Sequence, residues 1–164
     1  MDVTIKSEDL AIELAPVQRV ADRKHTIPAL AFALLKADGG ADSVQMTATD
    51  LDLAIRVLVP ATVAVPGEML VPAGRLYEIA RSLAQTDVRL VRDGDALRVT
   101  AGTFRSRLQV PALEDFPSVP LPDGAVVDLP RPVLAALIGC TQFVVEAAST
   151  TGGYSYMHAA LLML

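Results

Sequence analysis

The sequence predicts an α+β protein in which a strand-then-helix unit recurs, and three observations carry the prediction. The unit starts at Val3-Thr4-Ile5 into 8–21, at Met69-Leu70-Val71 into 74–84, and at Val126-Val127-Asp128 into 133–146, so the starts lie 66 and 57 positions apart. Behind each of the first two helices come short alternating apolar runs divided by turn residues, the pattern of antiparallel strands. The composition is 52% hydrophobic with four Phe, three Tyr and no Trp, which implies a core of Leu, Val, Ile and Ala. A unit repeated at this period cannot bury its apolar face alone, so the copies must pack on one another and function falls on the shared surface rather than in one pocket.

The first helix shows Leu10, Leu14, Val17 and Ala21 on one stripe, with Ser7 as its expected N-cap and Glu8 and Asp9 complementing the dipole. Pro16 falls inside this stripe, where a kink or break is expected at a cost of about 3 kcal/mol. After the polar link Asp22-Arg23-Lys24-His25, the run Ala29–Leu35 reads as a buried strand. Asp38-Gly39-Gly40 then turns the chain back through Ser43–Ala48, and a third strand spans Leu53–Val59. In the second half Leu76, Ile79 and Leu83 mark the helix, and Asp93-Gly94 is a hairpin turn between Val88–Val91 and Ala96–Thr100. In the last strand Phe104, Ser106, Leu108 and Val110 alternate with Arg105, Arg107 and Gln109, giving one apolar and one cationic face. Each half therefore reads β-α-β-β-β.

Pro111, Pro117, Pro120 and Pro122 surround Leu113-Glu114-Asp115-Phe116, a stretch too interrupted for a regular element. It divides a first domain, 1–120, from the opening of a second, 121–164. The chain stops inside the apolar run Ala159–Leu164, which reads as a truncated element. The greasy stretch Val133–Ala148 is broken by Thr141, Gln142 and Glu146 and is shorter than the ~20 apolar residues of a membrane span. Nothing at the N-terminus has the form of a signal peptide, so a cytoplasmic location is expected.

Formal net charge is −5, which by itself argues against a nucleic-acid partner, since phosphate binding needs a basic surface. Position matters more than the sum: all 14 Lys and Arg fall at or before Arg131. Arg19 and Arg23 stand one turn apart with Lys24 and His25 following, while Arg75 and Arg81 lie on the second helix. Basic groups there can offset helix dipoles, or two side-by-side helices can combine them into one positive surface. Arg105 and Arg107 either protect a sheet edge from unwanted pairing or receive an acidic partner.

Catalytic chemistry finds little support. Thr151-Gly152-Gly153 lacks a phosphate-cradle context, and His25 and His158 belong to no metal-ligand spacing. Asp50-Leu51-Asp52 suits a turn better than a metal pair, because extended neighbours point to opposite faces. Cys140 is expected as a small buried hydrophobe. No cofactor, metal or catalytic residue is assigned, and a small hydrolase built on Cys140 and His158 ranks behind a binding module that self-associates.

Six segments, in order and spacing, are similar to one family. They are the opening Met-x-Val-Thr-Ile, Thr26-Ile27-Pro28-Ala29-Leu30, Thr49-Asp50-Leu51, Val71-Pro72-Ala73, Asp93-Gly94-Asp95-Ala96-Leu97 and Asp115-Phe116-Pro117. Together they resemble the bacterial sliding clamp, the beta subunit of DNA polymerase III. The resemblance implies a DNA-clamp fold and a ring of two subunits that encircles duplex DNA and confers processivity on the polymerase without chemistry of its own. It implies DNA contacts at Arg23, Lys24, Arg75, Arg81, Tyr154 and Tyr156, and a subunit interface at Arg105, Arg107 and Leu108. Partners implied are duplex DNA, a second copy, the polymerase and the clamp loader. The family's groove for polymerase and loader peptides lies between second and third domains and is missing here. Met157-His158-Ala159 also replaces the family's Leu-Asn-Gly. A non-catalytic self-association or clamp-capping module is the alternative.

Overall fold

The computed structural model describes residues 1–21, 27–83, 85–119 and 128–141. The chain divides into two compact units, Met1–Pro120 and Leu121–Leu164. The first unit runs β1 (Asp2–Lys6), α1 (Ser7–Val20), a 3-10 turn (Pro28–Ala31), β2 (Phe32–Ala37), β3 (Ser43–Thr49), β4 (Ala54–Pro60) and β5 (Thr62–Val65). It continues through β6 (Gly67–Pro72), α2 (Ala73–Ser82), β7 (Asp87–Asp93), β8 (Ala96–Ala101), β9 (Phe104–Gln109) and a last 3-10 turn (Leu113–Asp115). The expected β-α-β-β-β order holds in the second half, and the first half follows it with one further strand, β5. The second unit contributes α3 (Arg131–Thr141), and residues 126–127 and 142–164, which carry other expected elements, lie outside the described residues.

The strands form two antiparallel sheets, ordered β5-β1-β7-β8-β9 and β4-β3-β2-β6. The first strand of each half has left its own half: β1 pairs with β7, while β6 pairs with β2. Each sheet thus combines the leading strand of one half with the three-stranded meander of the other, the same arrangement twice. β5 is an addition on the free side of β1.

Strand alternation sends one face of both sheets into a single core. Val3 and Ile5, Leu35, Met46, Val59, Met69 and Val71, Val88 and Leu90, Leu97 and Val99 all point inward and are buried. Leu10, Leu14 and Val17 of α1 and Leu76, Ile79 and Ala80 of α2 close that core from the helical side. The two helices pack side by side. Ser7, opening α1, donates its N–H to the carbonyl of Thr86, just past α2, at 3.0 Å. The start of α1 therefore lies near the end of α2, and the packed pair runs antiparallel.

Several local expectations are corrected. Ser7 is the first helical residue rather than the N-cap; its hydroxyl accepts the Thr86 N–H at 3.1 Å, so a long-range contact claims the oxygen a cap would have used. Pro16 does not break α1, which is continuous through it. Pro16 is exposed and the Ile12 carbonyl it leaves without a helical donor belongs to an exposed residue, so the lost bond lies on the solvent side of the helix. Ala29–Ala31 lie in a 3-10 turn instead of a strand, because Pro28 presets a helical φ at its first position and Leu30 N–H bonds the Ile27 carbonyl at 3.2 Å. β5 is not predicted: the five residues between Pro60 and Pro66 carry too little pattern, and the strand forms on the edge that β1 offers. Cys140 is exposed rather than buried, since every residue of α3 is exposed and its apolar run has no covering layer among the described residues.

Candidate nucleic-acid face and subunit edge

The solvent side of the helix pair is electrostatically mixed. Its cations are Arg19 in the last turn of α1, Arg75 in the first turn of α2 and Arg81 in the last, all exposed. Glu8, Asp9 and Glu13 on α1 and Glu78 on α2 oppose them. Arg75 is spent on Glu78, with Nη1 3.1 Å from Oε2, and an exposed pair one turn apart is worth little in stability but lowers the local positive potential. Arg81 has no ion pair among the described residues; its guanidinium lies 5.5 Å from the Tyr77 ring centroid, a cation–π contact that holds it over the helix surface.

Antiparallel packing sets where these charges gather. Arg19 and Arg75 share one end of the helix pair. Arg81 stands at the other end, beside the acidic first turn of α1. The expected single positive surface is therefore reduced, among the described residues, to two cationic ends. Arg23, Lys24, Tyr154 and Tyr156 lie outside the described residues. No group of three or more His, Cys, Asp or Glu is arranged to hold a metal ion, and no helix is long and apolar enough to cross a membrane, among the described residues.

β9 is the edge of the five-stranded sheet, paired to β8 on one side only. Arg105, Arg107 and Gln109 point out, whereas Leu108 and Phe104 pack partly buried against the core. Leu108 thus shares the strand with the two arginines but not their face. Register places Arg107 directly opposite Arg98, a like-charge pair that Asp93 reconciles: its carboxylate is 2.7 Å from Arg98 and 4.0 Å from Arg107, with Asp95 3.9 Å from Arg107. Arg105, opposite Thr100, has no ion pair among the described residues. The edge consequently presents an unpaired backbone ladder flanked by a free guanidinium.

Across the same sheet, Arg89 makes a bidentate contact to Asp2, with Nε donating to Oδ1 at 2.9 Å. The hydrogen bond from Arg89 holds the Asp2 carboxyl below its ordinary value; burial opposes it, and the charges of Arg89 and the N-terminus add to the lowering. On the four-stranded sheet Lys36 is raised by its hydrogen bond and attraction to Glu68, 3.1 Å away. The Asp50-Leu51-Asp52 segment forms a turn as expected: Asp50 Oδ1 accepts the N–H groups of Asp52 and Leu53 at 3.1 and 2.6 Å. Sequence reasoning missed that this turn holds Leu51 at φ 81°, a left-handed conformation rare for a branched side chain.

Comparison with known proteins agrees with this architecture. Residues 1–120 match the model of the DNA polymerase III beta subunit, N-terminal domain. A beta sliding clamp of Caulobacter vibrioides is 38% identical over 156 residues, covering 92% of this chain and 41% of that protein. A beta sliding clamp of Pseudomonas putida is 35% identical over 149 residues, covering 87% and 39%. The solved structure of Caulobacter crescentus pol III beta superposes with a TM-score of 0.83 at 36% identity, over 92% of this chain and 40% of that one. The chain spans about two fifths of the length of the relatives it matches. With its first 120 residues matching that domain model, and with the doubled fold of two swapped sheets behind a helix pair, this chain belongs to the DNA polymerase III beta subunit family.

Proposed function

We propose that this chain supplies the leading domain of a sliding clamp, which encircles duplex DNA and tethers the replicative polymerase in the cytoplasm without catalysing a reaction. The observation that carries the proposal is the helix pair: two equivalent helices from two equivalent halves lie together on one side of both sheets, with cations at their ends. DNA is contacted by Arg81 and Arg75 on α2 and by Arg23 and Lys24 after α1, joined by Tyr154 and Tyr156 of the second domain, 121–164. Because acids alternate with these cations, attraction to phosphate is weak and carries no sequence preference, as sliding requires; retention comes from closing the ring. Closure uses the β9 edge, where Arg105 and Arg107 meet acids of a neighbouring subunit while Leu108 adds apolar contact.

Duplex binding followed by fluorescence anisotropy against salt concentration tests the proposal. Each phosphate contact removed lowers the slope of log K against log salt by about 0.9, so Lys24→Glu and Arg81→Glu each flatten it by about one. Binding indifferent to salt, or unaffected by both substitutions, refutes it. A second reading, a self-associating or clamp-capping module, is favoured by one observation: α3 exposes Val133, Leu134, Leu137 and Ile138. Concentration-dependent sedimentation that ignores salt and is abolished by Leu137→Glu supports that reading instead.

A further inference from the structure

The chain holds three Asp-Gly steps, at 38–39, 93–94 and 123–124, and no asparagine. An aspartate followed by glycine is the step most open to attack on its side-chain carboxyl by the next backbone nitrogen, because glycine has no Cβ to crowd that nitrogen. With no asparagine to deamidate, any isoaspartate formed in this chain comes from aspartate. The third step lies outside the described residues. The first two both stand where one strand turns into the next, and the fold treats them differently.

Asp38 opens the loop 38–42 between β2 and β3, and Asp38, Gly39 and Gly40 are all exposed. Its carboxylate has no hydrogen bond or ion pair among the described residues; Lys36, which feels its charge, is bonded to Glu68 at 3.1 Å instead. The Gly39 N–H has no acceptor among the described residues, so its proton is open to water. The bond across the tip of the loop is long, from Ala41 N–H to the Asp38 carbonyl at 3.4 Å. Asp93 is held in both main chain and side chain. It still belongs to β7, opposite Ala96, and its carboxylate accepts a charge-assisted bond from Arg98 at 2.7 Å, with Arg107 at 4.0 Å. That bond has to break before Cγ of Asp93 turns onto the Gly94 nitrogen.

We propose that Asp38-Gly39 is a site of spontaneous backbone modification, an isoaspartate-forming step that the fold leaves open while it closes Asp93-Gly94. The Gly39 nitrogen, its proton given to water, attacks Cγ of the protonated Asp38 carboxyl. The N–Cγ bond forms, the Cγ–OH bond breaks and one water leaves, giving a cyclic imide. Water then adds to either imide carbonyl. Breaking the N–Cγ bond restores aspartate, whereas breaking the bond from nitrogen to the main-chain carbon leaves isoaspartate, with the chain running through Cβ and Cγ. One water departs and one returns, and nothing is oxidised or reduced. The Ala37 to Val44 ladder pair and the Ala61 N–H bond to the Asp42 carbonyl at 3.0 Å anchor the two ends of the loop, so the extra backbone carbon is confined to 38–42. The site does not depend on the function proposed above.

The test keeps the folded 164-residue chain at neutral pH in oxygen-18 water, digests it with trypsin in ordinary water, and follows the label in peptides 37–56 and 93–98 by tandem mass spectrometry. Each hydrolysis of the imide leaves one solvent oxygen in the peptide. Asp38 gains label at least about tenfold faster than Asp93, the rate equivalent of one charge-assisted bond that has to be released first. Gly39→Ala slows uptake at Asp38 by at least about tenfold. The fold accepts that substitution: Gly39 is not left-handed, and a Cβ there stands 3.7 Å from Pro66 Cγ. Arg98→Gln speeds uptake at Asp93 by at least about threefold. In guanidinium chloride the two sites of the parent chain take up label within about threefold of each other, because the contrast belongs to the fold. Equal uptake at the two sites of the folded chain, uptake at Asp38 unchanged by Gly39→Ala, no response of Asp93 to Arg98→Gln, or a contrast that survives in guanidinium chloride overturns the proposal.

Discussion

Leu10 and Leu76 stand 66 positions apart, each the fourth residue of its helix and each 0% exposed. If the two halves are equivalent, replacing either by alanine must cost the same. Three carbons leave the core in each case, a transfer loss of about 2.4 kcal/mol at roughly 0.8 kcal/mol per methylene. A cavity term adds to this, because each leucine is held between a partner helix and paired strands that cannot move in to fill the space, so the total is about 3–4 kcal/mol. With a urea dependence of about 1–3 kcal/mol per molar for a domain of this size, the midpoint falls by roughly 1–4 M at unchanged slope. Ile12, 66% exposed on α1, is the control, and Ile12→Ala changes stability by no more than about 0.5 kcal/mol. The assay is urea unfolding of the three variants followed by far-ultraviolet circular dichroism. A cost below about 1 kcal/mol for either core variant, or a difference above about 2 kcal/mol between them, contradicts the two-fold core.

Asp2→Asn removes a carboxylate whose folded-state value is depressed by Arg89, so its stabilisation exists above the unfolded value and disappears as pH falls through the folded one. The variant is less stable than the parent at neutral pH and the two converge below the ordinary carboxylate range; a constant gap across an acid titration of unfolding rejects the assignment. Pro16→Ala restores a donor for the Ile12 carbonyl on the exposed side of α1 and raises stability by about 1–3 kcal/mol, read as a higher melting temperature; a lower one shows that Pro16 is needed where it stands. Leu51→Asn keeps the turn while replacing a branched residue at φ 81° with one that tolerates it, a gain of about 0.5–1 kcal/mol in urea unfolding, and a loss instead means that Leu51 packs on something.

Much of the first unit was legible from spacing alone. Leu10, Leu14 and Val17 announced α1, the Asp93-Gly94 turn announced β7 and β8, and the alternation from Phe104 to Gln109 assigned each side chain of β9 to its face. Such signals are local: helix stripes, strand alternation and left-handed glycines act within a few residues, as Gly94 at φ 62° does. Ser7 shows the limit. Its side chain suits a cap, yet a partner 79 positions away takes the oxygen.

The sequence by itself determined that two like halves exist, that their cores are aliphatic and that cations cluster near helix ends, because composition and periodicity are properties of short windows. Only the tertiary structure decided that β1 and β6 change places between the halves, that β5 finds an edge to join, and that Arg75 is neutralised by Glu78 while Arg105 has no ion pair among the described residues. Pairing of strands distant in sequence depends on which edges remain open after the helices have packed, and the charge that a residue offers to a partner depends on what its neighbours have already claimed.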